Sequence, residues 1–409
     1  MTPERVVALV LWSLVDMNQW FQAAICLALM MTPAASQTGP APSTPHAAQL
    51  PPRAPQSGKP PSYVGDTVCQ HCHQDKVETF HRTSHYLTSK LPEKDSILGT
   101  FTPDANVMRT SNPELFFRME EKDNSFFQTA VQGTAPFIES RTERFAFVVG
   151  SGGKGQTYLF WKGDDLFQLP VSYWTELGWV NSPGYRDGQA NFARPIIPRC
   201  LECHGTYFEQ LPPAPNRYSK AGFIVGITCE KCHGPGGDHA RQFTAKPMRG
   251  AGSSILNPAR FSRDRQMDLC AWCHAGHGVS LQPAFSYVPG GPLDQYLRIP
   301  QPDPAAPIDV HGSQVEMLQR SRCFQQSAMT CLTCHNVHTV QHDLGEFSQR
   351  CLGCHKPGSD TFPKKGHQVA SNCVDCHMPS QPTNLIVFDQ NGKKARPNVR
   401  SHWIKVYSQ

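Results

Sequence analysis

Seven copies of one pentapeptide pattern, Cys-x-x-Cys-His, constrain this chain more than any other feature. They run from Cys69, Cys200, Cys229, Cys270, Cys331, Cys351 and Cys373, and their second cysteines are Cys72, Cys203, Cys232, Cys273, Cys334, Cys354 and Cys376. The closing histidines are His73, His204, His233, His274, His335, His355 and His377. Fourteen of the 16 cysteines are used in this way. Two thiols three residues apart on one helical turn can reach both vinyl groups of a haem, and the next residue then presents an imidazole to the iron. Zinc knuckles do not require a histidine after every second cysteine, and a disulfide framework would not repeat one spacing seven times. The pattern therefore predicts seven covalently attached haem c groups, each with a histidine as its proximal ligand.

Composition agrees with a core that is not made of aliphatic side chains. Only 39% of the 409 residues are hydrophobic and 17% charged, while 36 prolines and 31 glycines favour loops over long regular elements. The expectation is a mainly α and irregular multihaem fold with a haem-filled core. The formal net charge of +5 comes without any dense basic run. Its cations suit haem propionates better than a nucleic-acid backbone, so no nucleic-acid partner is expected.

Residues 1–36 hold two apolar stretches, Val6–Val15 and Trp20–Met31, followed by Ala34-Ala35-Ser36. This reads as a signal peptide, with translation from Met17 or a retained membrane anchor as alternatives. Cys26 lies within it. Residues 37–62 carry eight prolines between Pro40 and Pro61, a disordered tether containing His46. Export to the periplasm or the cell exterior follows, with membrane association through the N-terminus as an option.

The motifs are unevenly spaced. The first stands 131 positions ahead of the second, and the later intervals are 29, 41, 61, 20 and 22. We read residues 63–100 as an N-terminal haem segment and 193–409 as a six-haem domain. Residues 101–192 form a haemless, β-rich subdomain between them. That insert holds no Cys or His from Phe101 to Phe192. Phe145–Val149 and Tyr158–Phe160 alternate around Gly150-Ser-Gly-Gly153, a hairpin signal, and Leu115–Met119 and Phe126–Val131 read as further strands. A small antiparallel β subdomain that walls the haem array is expected.

Eleven histidines remain beyond the proximal seven. Without His46 and His71, which sits inside the first motif, nine could cap an iron from the far side, and two imidazoles per iron suit electron transfer. Several stretches resemble the multihaem cytochrome family that includes cytochrome c-554, related to octahaem hydroxylamine oxidoreductases and pentahaem nitrite reductases. They are Val68–His73 with Ser84-His85, Cys232–His239, Cys334–His338, and His367 ahead of Cys376-His377-Met378-Pro379. The resemblance implies His85, His239, His338 and His367 as distal ligands. His311, ahead of a haem pair, and His402, near the C-terminus, come next. His81, His277 and His342 compete for the seventh iron, unless that iron is open. The enzyme relatives' apparatus does not carry over, since no Cys-x-x-Cys-Lys occurs and the motif count is one short of eight.

Two functions follow as expectations. One is electron transfer through closely spaced haems, with other cytochromes or a membrane quinol oxidoreductase as redox partners. The alternative is an oxidoreductase acting on a small nitrogen or sulfur compound at one open iron. Cys323, outside every motif, is either a buried thiol or a ligand at such an iron.

Overall fold

The structure, a computed structural model, describes residues 62–407 apart from 246–253, 277, 301–313, 357, 360–371, 384–385 and 391. The expected signal peptide, the tether, Cys26, His46, His277, His311 and His367 lie outside the described residues. The expectation of a mainly α fold is overturned: the described residues are 28% helical and 26% strand. Each attachment motif needs only one helical turn, so seven motifs bring little helix with them. The long insert between motifs 1 and 2, by contrast, alternates with a period of two and forms sheets.

Nine α-helices are described, all short. They are α1 (Asp66–Phe80), α2 (Pro198–His204), α3 (Cys229–His233), α4 (Gly237–Ala245), α5 (Arg263–His274), α6 (Gln314–Gln319), α7 (Arg322–Gln325), α8 (Leu344–Leu352) and α9 (Cys373–His377). Six motifs begin on α1, α2, α3, α5, α8 or α9, and motif 5 begins on the 3₁₀ turn Cys331–Thr333. No described helix is long and apolar enough to cross a membrane.

The insert, joined by β1 from the N-terminal segment, forms two antiparallel sheets. Strands β1 (Ser89–Lys90), β2 (Val107–Arg109), β3 (Leu115–Lys122), β4 (Ser125–Thr134) and β5 (Phe137–Arg144) come first. They are followed by β6 (Phe147–Val149), β7 (Gly155–Lys162), β8 (Asp165–Gln168), β9 (Val171–Trp174) and β10 (Gly178–Asn181). One sheet has the order β2-β3-β4-β5; the other runs β1-β6-β7-β9-β10, with β8 also on β7. Lys122 pairs with Ser125 across a two-residue turn in which Asp123 and Asn124 both take positive φ, the geometry that tight hairpins require. Phe117, Met119, Tyr158 and Phe160 from the two sheets share one buried core with Phe145 from the link between β5 and β6.

This β unit reaches the motif-bearing part through a second core, in which Phe147, Leu159 and Leu166 pack against Leu201 of α2 and Tyr218. A third core joins Met267 and Trp272 of α5 to Tyr287, Val315 and Phe324. The N-terminal segment is held by Glu230 of α3, whose carboxylate accepts from the backbone N–H of Val64 (3.0 Å), Gly65 (2.9 Å) and Gly236 (2.7 Å). Motif 1 is therefore remote in sequence from motif 3 but adjacent to it in space.

Candidate haem-binding site

The motifs converge on one continuous cavity of about 3000 Å³. Both cysteines and the histidine of each of motifs 1 to 6 line it, and Val374 and Met378 border it from the seventh. Packed polypeptide interiors leave few spaces larger than a water molecule. A cavity of this size, walled by paired thiols and imidazoles, is a prosthetic-group site rather than a packing fault. Its buried polar atoms fit the same group. Arg199 Nε and Nη1 are buried on the wall without a hydrogen-bond partner, and a carboxylate such as a haem propionate would satisfy them. The fit to haem c is good.

Several imidazoles are oriented by their Nδ1 atoms. His233 Nδ1 lies 2.8 Å from the Leu256 carbonyl, His377 Nδ1 2.8 Å from that of Lys405, and His402 Nδ1 3.2 Å from that of Arg400. A carbonyl can only accept, so each Nδ1 carries the proton and each Nε2 keeps its lone pair for a metal. His204 Nδ1 lies 2.9 Å from Thr88 Oγ1, which fixes its ring against the start of the β unit.

Three pairs of rings face one another across the cavity. Centroids are 6.1 Å apart for His85 and His274, 6.2 Å for His233 and His338, and 6.4 Å for His335 and His402. Two imidazoles bound to one metal from opposite sides, at about 2 Å each, have centroids roughly 6 Å apart. His239 lies close enough to His73 to feel its charge, and its Nδ1 is buried without a partner. Desolvation pushes His85 and His402 down to about 4 and lowers His239, His274, His335 and His338. All six rings are thus held in the neutral form that can bind a metal.

The other sequence candidates separate. His81 is turned away from the cavity: its Nε2 sits 3.0 Å from Asp66 Oδ2, and its ring stacks on Tyr86 at 3.8 Å. His342 and His71 are both on the cavity wall. The Cys323 thiol borders the cavity beside Cys334 and Cys354, the second cysteines of motifs 5 and 6. Burial pushes it up, towards the protonated thiol and away from a thiolate ligand.

Contacts between cysteine side chains of different motifs give the array its order. Cys69 meets Cys229, Cys203 meets Cys273, Cys270 meets Cys331, and Cys351 meets Cys373. Cys270 also lies near Cys232, and Cys351 near Cys334. Motifs 1, 3, 4, 5, 6 and 7 thus follow one another, and motif 2 joins at motif 4.

Sequence reading missed the buried charges inside the motifs. Glu202, Glu230 and Lys231 occupy the variable positions of motifs 2 and 3, and all are buried. A charged residue between two attachment cysteines is the signal that could have found them, although Asp375 in the same place in motif 7 is exposed.

The site and the fold define a multihaem c-type cytochrome with covalently bound haem c. The comparisons point the same way. The family described as cytochrome c554 and c-prime matches residues 185–234, which contain motifs 2 and 3. The chain is also similar in fold to the outer cell wall cytochrome OcwA, at 18% identity and a TM-score of 0.54 over 84% of this chain and 80% of that one. No curated protein matches the chain.

Proposed function

We propose that the chain is an exported heptahaem electron conduit, its irons held mostly between two histidines. The observation that carries this reading is the run of neighbouring motifs from motif 1 to motif 7, combined with imidazole pairs at the spacing of a shared metal. Haem c supplies reversible one-electron exchange at iron. The chain's own residues do the rest. His274, His233, His335 and His73 hold one side, and His85, His338, His402 and His239 hold the other. His311 and His367 are proposed for irons of the remaining motifs. Saturated coordination keeps substrates off the metal and leaves electron exchange as the available chemistry.

The β unit contributes shielding at motif 2, where β1 and β6 lie beside His204 through Thr88 and Ser89. An envelope or extracellular setting is supported by the expected signal peptide and by the outer-cell-wall location in OcwA's name. Other cytochromes or a membrane quinol oxidoreductase are the proposed redox partners.

Two measurements on the purified holoprotein test this. Intact mass should show seven haems per chain, and carbon monoxide added to the fully reduced protein should leave its spectrum unchanged. A stoichiometric carbon monoxide adduct would instead assign an open iron and favour an oxidoreductase of small nitrogen or sulfur compounds.

A further inference from the structure

Buried charge is unevenly distributed along the succession of motifs. At the contact of motifs 1 and 3, Asp66 and Glu230 are 9% and 2% exposed. A carboxylate oxygen of Asp66 and the sulfurs of Cys69 and Cys229 all lie within 4.8 Å of one another. Asp66 accepts from the Cys229 backbone N–H at 3.2 Å and meets His81 Nε2 at 3.0 Å. Glu230 accepts backbone N–H groups at both oxygens, the pattern of an ionised carboxylate.

The contact of motifs 2 and 4 has the opposite sign. Arg199 and Lys231 are 8% and 5% exposed. Lys231 Nζ sits 3.9 Å over the ring of Trp272, between the two cysteines of motif 4, and 3.5 Å from the Thr206 carbonyl. Arg199 donates to the Trp272 carbonyl, and its Nη1 is 3.6 Å from Glu202 Oε2. Among the chain's own described groups, two cations thus stand against one carboxylate beside Cys203 and Cys273.

Reduction adds one negative charge at an iron. A buried carboxylate opposes it and a buried cation favours it, with little solvent screening at either place. The imidazole planes act in the same direction. His85 and His274 are crossed at 81°, whereas His233 with His338 and His335 with His402 are inclined by only 31° and 25°. Parallel imidazoles donate into the same iron π orbital and stabilise the ferric hole. Crossed planes divide that donation between two orbitals, which favours the ferrous state and leaves those orbitals nearly degenerate.

Building on the conduit reading, we propose that these residues give transfer a direction. Asp66 and Glu230 hold motif 1 at low potential, whereas at motif 3 the cation of Lys231 offsets Glu230. Arg199, Lys231 and the crossed pair His85 and His274 make motif 4 the high-potential station where electrons collect. Each step moves one electron from a ferrous to a ferric iron, with no bond made or broken.

The experiment is a potentiometric titration of the full holoprotein followed by electron paramagnetic resonance. Near-degenerate orbitals give a low-spin signal with a very large maximum g value, which His85→Ala should remove and thereby assign to motif 4. That signal is expected to vanish first as the potential is lowered, while low-spin signals of near-parallel pairs persist. Lys231→Met should shift its midpoint down, and Glu230→Gln should shift the last-reduced component up. The proposal is overturned if the large-g signal is absent from the wild type or is reduced last, or if the loaded Lys231→Met protein titrates unchanged. Either variant failing to load haem leaves the wild-type order of reduction to decide. Failure of the conduit reading looks different: a high-spin signal in the oxidised protein.

Discussion

His81 and His85 lie four residues apart in the turn that follows α1, and their neighbours assign them different tasks. Asp66 and Tyr86 engage His81, whereas His85 opens onto the cavity opposite His274. His85→Ala should therefore convert one low-spin haem to high-spin, read from the magnetic resonance or absorption spectrum. His81→Ala should leave the haem spectrum unchanged. The same contrast shows what was legible at this scale. A proximal histidine is covalently next to its cysteines, so the motif names it. A distal histidine arrives from a remote segment, as we propose for His85 at motif 4 and His402 at motif 5, and no local pattern encodes that encounter. Cys323 was ambiguous for the same reason, since its neighbours Cys334 and Cys354 come from two other motifs.

Among the elements, the β unit was the easier part to read. Alternating residues in β3, β4, β6 and β7 announce strands, and Asp123-Asn124 supplies the turn that sets the register of β3 on β4. Phe117 is fully buried between the sheets and far in the chain from any attachment cysteine. Phe117→Ala should cost about 4 kcal/mol of stability, measured by chemical denaturation, with haem content and spectrum unchanged. Loss of haem from that variant would mean that the β unit and the haem array fold as one. The helix content was misjudged because a haem motif was equated with a helix. In α3 and α9 the motif is the whole helix, and at motif 5 it begins on a single 3₁₀ turn.

For the whole molecule, the 131 positions between the first two motifs suggested an isolated haem. Glu230 and the Cys69–Cys229 contact close that gap and make motif 1 one end of a continuous series. No sequence spacing could show this, because it depends on where the insert folds. The central claim is that the series is an electron path with saturated irons. The electron paramagnetic resonance spectrum of the fully oxidised protein, with total haem quantified on the same sample, tests it most directly. The account predicts seven haems per chain, all of them low-spin. A high-spin signal integrating to one haem in seven would contradict it and place substrate chemistry at that iron.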